Sequence, residues 1–156
     1  NLITKSSVLS KDMLFASLDS TIRNGHINGF NLIFVDTVGF IRDLPTTLID
    51  AFKSTLTEII KSDLILHVRD LSDSEYLFHK QEVLKILEEI GIKKDDNRII
   101  EVLNKVDSVE NKINYHNFHD ENTIMISAKK EIGMQKLKNR ILNYFKNHNL
   151  KQISSQ

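Results

Sequence analysis

Leu32-Ile33-Phe34-Val35-Asp36-Thr37-Val38-Gly39-Phe40-Ile41-Arg42-Asp43-Leu44-Pro45 is the stretch on which the fold turns. A continuous apolar run of strand length ends on Asp36, and Gly39 follows three residues later before the chain turns toward Pro45. In an α/β domain a buried parallel strand delivers a charged group at its carboxyl edge, which is where such sheets bind ligands. A carboxylate there suits a metal-bound phosphate, and a glycine suits close approach of the backbone to one. The same residues also read as an Asp capping a turn with Gly supplying a positive φ, so the choice falls to the rest of the chain.

On either side of this run the pattern alternates between strand and helix. Residues 1–10 are short and polar, the tail of a helix running into loop. Thr21-Ile22-Arg23 reads as an edge strand, and Asn24-Gly25 and Asn28-Gly29 are hairpin signals, so this strand and the Leu32 to Asp36 run are expected to pair antiparallel. After Pro45, Leu48, Phe52, Leu56 and Ile59 recur at helical spacing and predict a one-faced helix to about Lys61. Leu64 to Val68 reads as a second buried strand, ending at Asp70. Ser72 with Glu75 three residues on reads as a capping box, Val83, Ile86, Leu87 and Ile90 as the apolar face of the helix it starts, and Gly91 as its stop. Ile99 to Leu103 and Thr123 to Ile126 are two further buried strands, and Met134, Leu137, Ile141 and Phe145 line a last helix. Strands and helices alternating at these lengths imply right-handed crossovers and a mostly parallel sheet. The expected architecture is a three-layer α/β domain over 1–149 with a tail over 150–156.

Composition excludes several classes. The 156 residues are 40% hydrophobic and 27% charged, ordinary for a globular domain able to bury a real core. Lysine plus arginine equals aspartate plus glutamate at 21 each, so DNA is not an expected partner and any RNA contact would be local. The absence of cysteine rules out disulfides and thiolate metal sites and fits a reducing compartment. No apolar run approaches the roughly 20 residues of a membrane span, and no basic-then-apolar signal opens the chain, which makes the cytoplasm the default location. The chain begins at Asn1 without an initiator methionine, as a piece of something longer would.

The strand ends carry the chemistry. After Leu103 comes Asn104-Lys105-Val106-Asp107, and after Ile126 comes Ser127-Ala128-Lys129. With Asp36-Thr37-Val38-Gly39, three strands deliver polar groups to one rim. A carboxylate such as Asp107 can accept two hydrogen bonds from a guanine edge, which presents adjacent N–H donors, whereas adenine presents none in that arrangement. The aliphatic stems of Lys105 and Lys129 can flatten against the faces of a base. Ser127 can hold Asp107 in place, and a backbone N–H beside Ala128 can meet the guanine carbonyl oxygen. The competing structural reading makes Asn104 a strand-terminating turn and Asp107 a cap on the following loop. Asn-Lys-x-Asp at one strand end with Ser-Ala-Lys at the next is the sharper signal.

With these residues the chain resembles a P-loop G domain, and within that class the HflX family of ribosome-associated GTPases. The closer likeness is carried by Leu14-Phe15-Ala16-Ser17-Leu18-Asp19, by Asp36 through Pro45 with the Ala51-Phe52-Lys53-Ser54-Thr55-Leu56 helix, by Leu66-His67-Val68-Arg69-Asp70 and by Leu87-Glu88-Glu89-Ile90-Gly91. It runs from Asn1 to about Phe145. The resemblance implies that Phe15, Ala16, Ser17, Leu18 and Asp19 form the first switch, with the Ser17 hydroxyl a ligand of the Mg²⁺ that bridges the β- and γ-phosphates. It implies that Asp36 holds that Mg²⁺ through water and that the Gly39 N–H, in the Asp36-Thr37-Val38-Gly39 turn, senses the γ-phosphate. Asn104, Lys105, Val106 and Asp107 would bind guanine, with Ser127, Ala128 and Lys129 behind them. The implied reaction is GTP hydrolysis to GDP, and the implied partner is the large ribosomal subunit.

Three departures from the family pattern matter. Ser17 stands where the family has threonine, and it lacks the methyl that stiffens the rotamer. Phe40 stands where many GTPases place a water-orienting glutamine, which agrees with HflX relatives and leaves the catalytic group unassigned. No Gly-x-x-x-x-Gly-Lys-Ser/Thr occurs among the five glycines, so the phosphate loop is absent from this chain. By the family pattern Asn1-Leu2-Ile3 follow that loop, and the first strand, which belongs between the strands ending at Asp36 and Asp70, is missing with it. Two strand edges would then face a gap, and binding of the β- and γ-phosphates would be weak. Whether the chain is an enzyme by itself is thus open among three readings: part of a GTPase, a non-catalytic remnant, or a module that docks on the ribosome. Mixed signs in Lys93-Lys94-Asp95-Asp96 and along the last helix give the docking reading little support.

Other features read as ordinary. His116-x-x-His119 has metal-ligand spacing but no third ligand nearby. His67 is expected to be a core histidine with a satisfied ring, and Asp70, Asp73 and Glu75 to belong to a helix start.

Overall fold

The computed structural model describes residues 3, 21–37, 56–109 and 122–148. Phe15 to Asp19, Val38 and Gly39, the helix after Pro45 up to residue 55, His116 and His119, and the tail over 150–156 lie outside the described residues. The chain divides into two compact units, one of residues 1–59 with 138–156 and one of residues 60–137.

In the first unit β1 (Thr21–Ile27) and β2 (Phe30–Asp36) form an antiparallel hairpin with Ile27 opposite Phe30 and Thr21 opposite Asp36. Of the two hairpin signals, Asn28-Gly29 makes the turn, with φ of 43° and 91°, the left-handed values that a two-residue loop needs to match strand twist. Asn24 and Gly25 instead lie within β1, opposite Ile33 and Leu32. His26 locks the loop: its Nδ1 pairs with Asn31 Oδ1 at 2.8 Å and its Nε2 accepts the Gly29 N–H at 3.2 Å. That arrangement assigns the ring proton to Nδ1. One face of the hairpin turns Ile27, Phe30, Leu32 and Phe34 inward, while the other leaves Ile22 and Ile33 exposed.

In the second unit β3 (Ile65–Asp70), β4 (Ile99–Asn104) and β5 (Thr123–Met125) form a parallel sheet in that order, with helix α1 (Tyr76–Glu89) connecting β3 to β4. β4 is central and buried from Ile99 to Leu103. Its apolar side chains need both faces covered, which is why its sequence reads as a continuous run. Helix α1 ends as expected of its glycine: Gly91 has φ 90°, its N–H reaches Glu88 O at 3.0 Å, and the Ile92 N–H reaches Leu87 O at 2.8 Å. This is a Schellman closure, with Ile92 and Leu87 both buried. Arg98 ties the entry of β4 to the entry of β3. It pairs with Asp96 and donates to the Ile60 and Ser62 carbonyls at 3.1 Å each. Helix α2 (Met134–Asn147) follows β5, its residues to 137 counted in the second unit and the rest in the first, and buries Met134, Leu137, Ile141, Leu142 and Tyr144.

Among the described residues the strands form two sheets, β1–β2 and β3–β4–β5. Two expectations change. The capping box does not form. Asp70 Oδ1 takes both the Ser72 N–H (2.9 Å) and the Ser72 hydroxyl (2.6 Å), and α1 starts later, behind N-cap Glu75, whose side chain caps nothing. Asp73 does that local work, its Oδ1 accepting the Glu75 N–H and its Oδ2 pairing with His79. Finally, β3 is buried on one face only, by His67 and Arg69, while Val68 is 55% exposed.

The buried face of β3 is polar because Glu101 of β4 lies opposite His67. Glu101, 6% exposed, accepts from Arg69 at 2.8–2.9 Å and pairs with His67 Nδ1 and Lys80 Nζ at 3.3 Å each. Burial pushes its carboxyl up, yet the His67 hydrogen bond and the charges of His67, Arg69 and Lys80 outweigh it and bring the pKa down to about 2. His67 is thus the satisfied core histidine that its apolar strand suggested.

Candidate functional site

The site residues that the structure describes fall in both units. Asp36 stands exposed at the carboxyl end of β2 with Thr37 half-buried beyond it. Both belong to the first unit, and Ser17, the other expected Mg²⁺ ligand, lies outside the described residues. Asp36 offers a hard carboxylate oxygen of the kind Mg²⁺ takes singly, filling its other positions with water and phosphate. Among the described residues no group of three or more acidic, His or Cys side chains forms a protein cage for a metal.

The second unit brings Asn104, Lys105, Asp107, Ser127, Ala128 and Lys129 together. β4 ends on Asn104, whose Oδ1 accepts the Lys105 N–H at 2.8 Å and the Ala128 N–H at 3.0 Å. One side-chain oxygen therefore ties the loop after β4 to the loop after β5. Lys105 adopts a left-handed backbone (φ 66°, ψ 33°), reversing the chain into a 3₁₀ turn over Val106–Ser108. Val106 is the anchor of this turn. Its side chain is buried with Leu71 and Leu103, and its N–H donates to Ile126 O at 3.2 Å. That leaves Asn104, Lys105 and Asp107 as the polar groups that the motif presents.

Asp107 is the chemically unusual member. A hydrogen bond from the Ser127 hydroxyl lowers its pKa below the usual carboxylate value, against a smaller opposing effect of burial. Its Oδ1 is shut off from solvent and has no hydrogen-bond partner among the described residues. Ser127 is fully buried, its Oγ also accepts the Lys130 N–H at 3.0 Å, and its own N–H donates to Ile132 O at 3.0 Å. The loop closes at Gly133, φ 72°, where a side chain would collide with the Met125 carbonyl oxygen. Ala128 and Lys130 thus spend their N–H groups on Asn104 and Ser127, and the exposed Lys129 sits between them.

A carboxylate oxygen without a partner among the described residues stays an unsatisfied acceptor until a donor reaches it. A planar heterocycle with adjacent N–H donors supplies one, and the lysines at 105 and 129 flank the motif with aliphatic stems. Sequence reasoning missed Asp70, which it assigned to a helix start. Asp70 Oδ2 pairs with Lys105 Nζ at 2.6 Å, so it belongs to this loop. The signal was available: Ile65–Asp70 and Ile99–Asn104 are equal runs that both end on a polar side chain, which the parallel register sets side by side.

The sequence profile of a family described as "50S ribosome-binding GTPase" matches residues 1–105. A GTPase HflX of Alkalihalophilus pseudofirmus is 40% identical over 142 residues, covering 90% of this chain and 33% of that protein. A GTPase HflX of Akkermansia muciniphila is 46% identical over 110 residues, 70% of this chain and 25% of that protein. The chain therefore spans no more than about a third of the length of these curated relatives. Among solved structures, a GTP-binding protein from Sulfolobus solfataricus in complex with GDP superposes with a TM-score of 0.67 at 27% identity, over 81% of this chain and 44% of that one.

Proposed function

The chain belongs to the 50S ribosome-binding GTPase family, of the HflX type, and on that premise we propose that Asn104, Lys105, Asp107, Ser127, Ala128 and Lys129 bind the guanine base of GTP and GDP. The observation that carries this reading is Asp107 Oδ1, closed to solvent and without a hydrogen-bond partner among the described residues. Guanine places its ring N–H and exocyclic amine at such an acceptor, and adenine does not.

In the same reading Phe15 to Asp19 form the first switch, Ser17 and Asp36 hold Mg²⁺ against the phosphates, and Thr37, Val38 and Gly39 follow the γ-phosphate. The metal would supply neutralisation of charge on the β- and γ-phosphates. The whole protein hydrolyses GTP in the cytoplasm, and the nucleotide state regulates its association with the large ribosomal subunit. Residues 1–149 act as the GTP-binding domain, and 150–156 are a tail. Because the sequence contains no phosphate-loop lysine motif, this chain alone grips the base better than the β- and γ-phosphates and turns over slowly.

The test is titration of the purified chain with fluorescent GDP, GTP and ADP, alongside circular dichroism. Guanine-selective binding by a folded chain supports the reading. A folded chain that binds all three alike, or none, defeats it.

A further inference from the structure

We infer that Asp70 is a positioning residue for base recognition, acting through its ion pair to Lys105. The inference rests on the guanine-site reading above and adds a residue to it. Asp70 ends β3 directly opposite Asn104, and the Leu71 N–H donates to the Asn104 carbonyl at 2.9 Å, so the tips of β3 and β4 move as one piece. Leu71 seals the junction from beneath, buried against Leu103 and Val106.

On this platform Asp70 divides its carboxylate. Oδ1 takes the Ser72 N–H and hydroxyl, which fix the carboxylate plane, and Oδ2 meets Lys105 Nζ at 2.6 Å. The Lys105 and Asp70 side chains are 56% and 34% exposed, so the pair is open to water and salt. Pairs this exposed stabilise a fold little. Its consequence is orientation: with the backbone of Lys105 held left-handed and the ammonium tethered to a fixed carboxylate, the four-carbon stem loses the freedom that a base would otherwise have to remove on stacking.

Asp70→Asn separates charge from shape, since the amide oxygen still accepts from Ser72. Fluorescent GDP is titrated into the 156-residue chain, the Asp70→Asn, Lys105→Met and Ser72→Ala variants and the Asp70→Asn/Lys105→Met double variant, at low and at raised salt, with melting curves for each. Asp70→Asn is expected to weaken GDP binding about three- to five-fold at low salt, with a smaller loss at raised salt. In the Lys105→Met background it adds nothing, and Ser72→Ala, which keeps the Ser72 N–H on Oδ1 and leaves the Asp70 charge in place, loses less than Asp70→Asn does. Lys105→Met, which alters neither the strand end nor the turn, reproduces the loss and gives a reading that does not depend on how Asp70→Asn folds. Unchanged affinity in Lys105→Met, an Asp70→Asn loss that persists in the double variant, or an equal loss in Ser72→Ala each overturns the inference while leaving the guanine site intact. A parent chain that binds no GDP overturns the guanine-site reading and this inference together.

Discussion

Asn104 Oδ1 accepts the Ala128 N–H at 3.0 Å, joining two loops that stand 24 positions apart in the sequence. The same oxygen holds the Lys105 N–H at 2.8 Å, so a single amide sets both the left-handed turn of Lys105 and the distance between the Asn104–Asp107 and Ser127–Lys129 loops. Asn104→Ala leaves both N–H groups without this acceptor. It is expected to cost about 1–3 kcal/mol in urea denaturation. GDP binding should fall further than that loss of stability explains, and a variant that binds GDP as well as the parent would show that the bridge does not shape the site.

Asp107→Asn tests the donor and acceptor logic of the base site. The side chain then offers an amine donor where the carboxylate accepted, which mismatches the exocyclic amine of guanine and suits the carbonyl that xanthine carries there. Fluorescent GDP affinity is expected to fall at least tenfold while fluorescent xanthosine diphosphate gains. Equal loss of both nucleotides would mean that Asp107 supports the loop and does not touch the base.

Glu101 sets an acid limit on stability. Its folded pKa of about 2 lies below the ordinary 4.5, so its ion pairs stabilise the fold fully above about 4.5, and that contribution is lost as pH falls through this window toward 2. The contribution is roughly 3 kcal/mol at most by linkage. Thermal melts between pH 6 and 2 should show the parent chain losing stability in that window and Glu101→Gln varying less with pH. At neutral pH Glu101→Gln should itself be destabilised, by up to about 3 kcal/mol, because Arg69 stays buried without its counter-charge.

Gly133→Ala is expected to destabilise the chain by more than about 1 kcal/mol, measured by urea denaturation. The residue has φ 72°, and its new methyl group would strike the Met125 carbonyl oxygen. Relief of that clash displaces the bridge between Ser127 and Ile132, so GDP affinity should drop with stability. A stable Gly133→Ala chain with full affinity would show that the Ser127–Lys129 loop tolerates a different closure.

Much of the fold was legible because its signals are local. A run such as Ile99-Ile100-Glu101-Val102-Leu103 has strand length and β-branched content, and Met134, Leu137 and Ile141 repeat at helical spacing; both became the elements expected. That the Asn104–Asp107 and Ser127–Lys129 loops come together was legible for a related reason: each follows directly on a strand, and strand ends of one parallel sheet share an edge. The errors came where two local signals competed. Ser72 and Glu75 have capping-box spacing, but Asp70 offers Ser72 a charged acceptor two residues away, and the stronger hydrogen bond wins. Glu101 passed as one polar residue in an apolar strand because its partners, His67, Arg69 and Lys80, lie far from it in the sequence.

By itself the sequence determined where the chain turns and stops, since Asn28-Gly29 and Gly91 are needed wherever φ is positive, and it determined which side chains end each strand. The tertiary structure alone decided which of those ends meet. Parallel strands share no hairpin to set their alignment, so the pairing of Asp70 with Asn104, and of His67 with Glu101, depends on burial across the whole sheet, and a one-residue slip would turn every side chain of β3 to its other face. That register puts Asp70 beside Lys105 and buries the charges of Glu101 and Arg69 together.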